Sequence, residues 1–187
     1  MNTNYKLTSK DKLTELAKSK GIETWNELTE FIKKLPYGRN KNRTDFELVL
    51  SEQKGTCSSK HALLKSIADL NNIPNIELII GIYRMTESNT PKIGTELSKN
   101  SIAFIPEAHC YLKINGKRTD LTTKKSEFKK IEKDIIKETE IRPDQVSEFK
   151  VDYHKKFIKS WLKESNSEFE FDQIWRIREK CITNLTE

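Results

Sequence analysis

Residues 108–122 read Ala108-His109-Cys110-Tyr111-Leu112-Lys113-Ile114-Asn115-Gly116-Lys117-Arg118-Thr119-Asp120-Leu121-Thr122, and how this stretch turns decides the fold. Asn-Gly between alternating apolar residues is a strong hairpin signal, because a two-residue type I′ turn needs positive φ at both central positions. Strands over 108–114 and 117–122 therefore run antiparallel, with Ile114 facing Lys117, Tyr111 facing Asp120 and His109 facing Thr122. Alternation puts His109, Tyr111, Lys113, Arg118, Asp120 and Thr122 on one face. Cys110, Leu112, Ile114 and Leu121 point to the other, which is the expected core face. His109 and Asp120 are diagonal neighbours, about 7–8 Å apart at the backbone and within side-chain reach. Asp120 can then accept from one ring nitrogen and fix the tautomer of the imidazole.

Moving outward, Ile76 to Met85 is dense in Ile and predicts a central strand. Residues 86–100 form a polar loop, placed to act as a lid, and Ser101 to Ile105 predicts a short strand ended by Pro106. Upstream the period changes to helical. Thr8 or Ser9 caps a helix bearing Leu13, Leu16 and Ala17, which Gly21 stops. A second helix starts at Thr24, carries Trp25, Leu28, Phe31, Ile32 and Leu35, and ends before Pro36. Residues 36–42 are a polar loop, whose 37–40 part could wall a cleft but is read first as an ordinary turn, and 45–50 suit a short helix or a strand. A firm helix runs from Cys57 to about Asn71. Downstream, Pro143 opens a helix with Val146, Phe149, Tyr153, Phe157 and Trp161 on one face. A last helix near 172–185 buries Ile174, Ile177, Cys181 and Leu185, and the three tryptophans read as core. Helices, then a sheet, then helices is the layout of a single α+β domain over 1–187, with a core at about 37–123 and helical extensions at 1–36 and 124–187.

The 187 residues carry a formal charge of +6, from 34 basic and 28 acidic side chains. Lys outnumbers Arg, and the basic run from 113 to 133 has one aromatic, Phe128. Phosphate forks and stacking platforms are therefore wanting, which argues against nucleic-acid binding. The longest apolar stretch, 78–82, is too short to span a bilayer. The first twenty residues lack a signal-peptide core, so a cytoplasmic location is expected. Cys57, Cys110 and Cys181 are an odd, widely spaced set that suits neither a disulfide framework nor a zinc site. No metal or organic cofactor is expected.

Each cysteine then needs its own explanation. Cys110 and Cys181 fall on buried faces. Cys57 sits at the first turn of its helix, where unpaired N–H groups and the helix dipole favour a thiolate and can hold an oxyanion; a small apolar residue tucked at a helix start is the bland alternative. Gln53 could donate an amide to an oxyanion, although a surface role is favoured. His61, one turn after Cys57, reads as a capping or surface residue without an orienting acid, and His154, beside Lys155 and Lys156, as solvated.

A thiol on a helix N-terminus, a His on a strand and an Asp on the next strand are the parts of a Cys-His-Asp triad. Gly55-Thr56-Cys57, the helix through Ala62-Leu63-Leu64, the Ile-rich strand, His109-Cys110-Tyr111 and Asp120-Leu121-Thr122 occur in the order that resembles the transglutaminase-like superfamily. Where the family often has His-Ala-Trp, this chain has His109-Cys110-Tyr111, and eleven residues from His109 to Asp120 make a tighter hairpin. The resemblance covers about Gly55 to Thr122. It implies a papain-like core with Cys57 as nucleophile, His109 as general base and Asp120 as orienting carboxylate. It further implies acyl chemistry on peptide or protein amides, by hydrolysis or deamidation before cross-linking, since compact bacterial members are often hydrolytic. A catalytically silent binding module on the same fold is the first alternative, and a basic nucleic-acid-binding protein the second.

Overall fold

In the computed structural model, which describes residues 4–185, the hairpin closes in the expected register. Ile114 pairs with Lys117, Lys113 with Arg118 and Leu112 with Thr119. Asn115 and Gly116 both adopt positive φ, 51° and 76°. The sheet contains β1 (Ile76–Met85), β2 (Ile105–Ile114), β3 (Lys117–Thr119) and β4 (Ile135–Ile141). The order is β3-β2-β1-β4, with every neighbouring pair antiparallel. Together with six α-helices among the described residues, this is an α+β fold.

Three strand expectations need correction. The strand predicted over 101–105 does not form, and β2 begins at Ile105 and runs through Pro106, opposite Arg84 of β1. Pro106 is tolerated because β2 pairs only with β1 at that end, so no second neighbour needs its missing N–H. β3 stops at Thr119 instead of Thr122. β4 lies in a stretch read as leading only to helix. Its charged centre, Lys137-Glu138-Thr139-Glu140, masks the strand pattern and suits an outermost strand that must resist pairing with other chains.

The sheet is buried on both faces, not on one. Leu78, Ile80, Ile82, Ala108, Cys110 and Leu112 join the first core. Ile79, Tyr83, Ile105 and Tyr111 join a second. Tyr111, expected on the open face, is fully buried and donates its hydroxyl to Glu138, which Arg118 clamps with two 2.8 Å bonds. The Tyr111 ring lies over Gly81, where a Cβ would come within 2.7 Å of its Cε1.

The first core is built by α1 (Lys12–Lys18), α2 (Trp25–Lys34), α3 (Glu47–Ser51) and α4 (Cys57–Leu70). Asp11 caps α1 through Thr14 N–H, while the N–H groups of Thr8 and Ser9, the expected caps, are held by Asn71 Oδ1. Thr24 and Glu27 form a reciprocal capping box on α2. The second core is closed by α5 (Glu148–Glu164) and α6 (Phe171–Asn184). Pro143 opens a separate 3₁₀ turn ahead of α5. The buried stripe of α5 is His154, Ile158 and Leu162, whereas Phe149 is 42% exposed. Tyr153 and Phe157 pack on the first core and Trp161 on the second, so α5 straddles both.

Lys60 fixes α4 to its surroundings. It is fully buried, and its ammonium donates to Leu35 O at the end of α2 and to Thr122 O beyond β3, both at 2.6 Å. Desolvation lowers its pKa to about 8. Lys60→Met keeps the volume but strands two buried carbonyls, so urea denaturation should show a loss of about 2–4 kcal/mol. Gly81→Ala should cost about 1–3 kcal/mol through the displaced Tyr111 ring, read by the same measurement.

Candidate active site

The site begins at the N-terminus of α4. Thr56 caps the helix and exchanges hydrogen bonds with Ser59, leaving the Cys57 and Ser58 N–H groups as first-turn donors without intrahelical partners. Gly55 permits this tight entry, since a Cβ there would stand 2.9 Å from Lys60 Cγ and Ser59 Oγ. Tyr37 forms a parallel bridge to Gly55, which presses residues 37–40 against the start of α4.

The β2–β3 ladder ends at Leu112↔Thr119, so the outer edge of β2 from Ile105 to Tyr111 has no strand beside it. The start of α4 occupies that edge. The Cys110 N–H donates to the Cys57 sulfur, and the Ser58 hydroxyl lies 3.7 Å from Cys110 Sγ. A half-buried, free Cys57 is thereby set where a strand partner would otherwise sit.

His109 reaches Cys57 from β2, and its side chain is only 15% exposed. Its Nε2–H donates to Asp120 Oδ2 at 2.9 Å, which leaves Nδ1 for the thiol. Tyr83, Tyr111 and His61 surround the ring, with centroids 6.1–6.5 Å away. The other Asp120 oxygen accepts from Thr122 N–H at 2.9 Å and Thr122 Oγ1 at 2.6 Å. Burial opposes charge on all three groups, and the neighbours prevail. Asp120 and then the thiolate hold His109 well above its ordinary value. His109 and then His61 keep Asp120 far below the carboxylate range. For Cys57, the Lys150 ammonium and then His109 bring the thiol down to about 6.

Sequence reasoning missed Lys150. Its Nζ donates to Ser58 Oγ at 2.8 Å and lies 3.9 Å from Cys57 Sγ. The signal that locates it is spacing: Lys150, His154, Ile158 and Leu162 continue one i, i+4 stripe on α5.

The structure brings Cys57, His109 and Asp120 together but leaves Gln53 outside. Gln53 is exposed, holds φ 51° and does not line the cavity beside Cys57. His61 is fully buried, not a surface cap. Leu121 N–H donates to its Nε2 at 2.9 Å, and its Nδ1–H donates to Cys57 O at 2.8 Å, which fixes the neutral tautomer; burial lowers its pKa to about 4. His154 is buried rather than solvated, bonded to Pro106 O at 2.7 Å and packed edge-on against Trp175. The 86–100 loop buries Ile93 and Leu97 in the second core, and Asn184 ties it to α6. It does not wall the cavity, so it is no lid.

That cavity has a volume of about 300 Å³ and is walled by Tyr37, Arg39, Glu107, Lys150, Trp175 and Arg178, among others. Tyr37, Arg39 and Asn40 therefore make this loop a cleft wall rather than an ordinary turn, and Trp175 lines the cavity while packing against the second core. The region read as a C-terminal extension supplies Lys150, Trp175 and Arg178. Among the described residues, no group of three or more His, Cys, Asp and Glu side chains is placed to hold a metal ion, and no helix is long and apolar enough to cross a membrane. Comparison with protein-family models, curated proteins and solved structures found no match.

The thiolate should form as pH rises through about 6, while His109, raised above its ordinary value, is still protonated. Alkylation of Cys57 by iodoacetamide, followed by mass spectrometry, should rise through that pH and not near 8.5. Lys150→Met or His109→Ala should move the midpoint up toward the ordinary thiol range, with Cys110 and Cys181 unreactive until unfolding.

Proposed function

We propose that the protein is a cysteine-dependent hydrolase of the transglutaminase-like type, with a papain-like core, acting on peptide or protein amides. The observation that carries this reading is the Cys57–His109–Asp120 chain, in which Asp120 takes one ring nitrogen of His109 and leaves the other for the thiol. Cys57 Sγ attacks the amide carbonyl carbon. The oxyanion that forms is met by the Cys57 N–H and by the Lys150 ammonium, whose Nζ stands 3.9 Å from Sγ. His109 gives its proton to the leaving nitrogen, the C–N bond breaks, and a thioester remains on Cys57. Water, deprotonated by His109, then attacks the thioester carbon; the C–S bond breaks, and acid and thiol are released. Three free thiols suit a reducing compartment, and we place the protein in the cytoplasm.

A silent binding module has no need of a partly buried, free thiol with its pKa pulled down to about 6. The test uses p-nitrophenyl acetate as acyl donor. Cys57 should acquire an acetyl group, with a burst of nitrophenolate followed by slow turnover. His109→Ala should reduce acylation about 10²–10⁴-fold, and Cys57→Ala should abolish it. A Cys57→Ala protein that still turned over would sink the reading.

A further inference from the structure

The cavity beside Cys57 is unevenly charged. Among the described residues, Arg39, Arg43, Lys150, Lys155 and Arg178 face it, against Glu107 and Glu179. The two carboxylates are already engaged. Arg178 donates to both oxygens of buried Glu107, at 2.7 and 2.6 Å, and to Glu179 at 2.6 Å. Arg39 donates to Glu179 at 3.0 Å. Two guanidiniums are thus matched by two carboxylates and Lys150 by the Cys57 thiolate, and Lys155 and Arg43 are the surplus. Lys150 lies at the thiol, Lys155 over the Trp175 ring at 5.4 Å, and Arg43 is exposed.

We infer that the cavity selects acyl donors bearing a carboxylate close to the scissile carbonyl, held by the surplus cations of Lys155 and Arg43 while Lys150 serves the reacting carbon. A concave site with a surplus of one sign focuses the field and concentrates ligands of the opposite charge, and charge-assisted hydrogen bonds offset the cost of desolvating the carboxylate. Trp175, Val146, Val151 and Ile182 add apolar wall to the same cavity, suited to a short aliphatic spacer. The inference rests on the thiol chemistry proposed above for Cys57.

The test compares alkylation rates of Cys57 at low ionic strength with matched electrophiles. N-Iodoacetylglycine is set against N-iodoacetylglycinamide, and the α-amide of N-iodoacetylglutamate against N-iodoacetylglutaminamide. The first pair places the charge on a terminal carboxylate, the second on an acidic side chain. At least one anionic reagent should react about tenfold faster than its neutral partner, an advantage that salt should erode. Arg43→Gln/Lys155→Gln should remove most of that preference, read as the ratio of anionic to neutral rates within the variant. Lys117→Gln/Lys125→Gln, which removes the same net charge at exposed positions away from the cavity, should leave it intact. A fast Cys57 without charge preference, or a preference lost equally in both double variants, overturns the selectivity and spares the thiol chemistry. A Cys57 slow toward all four reagents overturns both.

Discussion

The segment that carries Asp120 is bolted to the helix that carries Cys57, and the site depends on that clamp. Two consecutive residues of α4 provide it. Lys60 donates to Thr122 O, and His61 accepts from Leu121 N–H while its other nitrogen returns to Cys57 O. The turn after β3 has no strand partner to satisfy its backbone, so buried side chains do so instead. The distance from Asp120 to the thiol is set through rigid helix and buried hydrogen bonds rather than through a free loop.

The same clamp explains how the charges are tuned. Carboxylate, imidazole, thiol and ammonium are all withdrawn from water, and burial alone would neutralise each. They stay charged because they stand in a row of alternating sign: Asp120, His109, Cys57, Lys150. Break one link and its neighbour is left as an uncompensated buried charge. His61 stays neutral beside this row because both of its nitrogens are committed to backbone groups.

Sequence reasoning reached the grouping of Cys57, His109 and Asp120 better than the architecture around it. The Asn115-Gly116 turn fixed the parity of the hairpin, and parity put His109 and Asp120 on one side; that argument is local and needs no tertiary information. The start of α4 at Cys57 and the Ile run of β1 were legible for the same reason. What was not legible depended on partners distant in the chain. β4 hides because its middle is charged, and a charged run reads the same on an edge strand as on any solvated surface. His61 and His154 look like surface residues until their partners, Leu121 and Pro106, are known. The register of the α5 stripe was off by one position because Tyr153, Phe157 and Trp161 are also partly buried, against two different cores.

β3 is three residues long, and its brevity has a topological consequence. Had it continued antiparallel to Thr122, its backbone would have filled the lane along β2 that the thiol now occupies, and Cys110 N–H would have met a carbonyl instead of sulfur. The sheet is unfinished on that side, and growth of the sheet and placement of the Cys57 thiol compete for one strip of space.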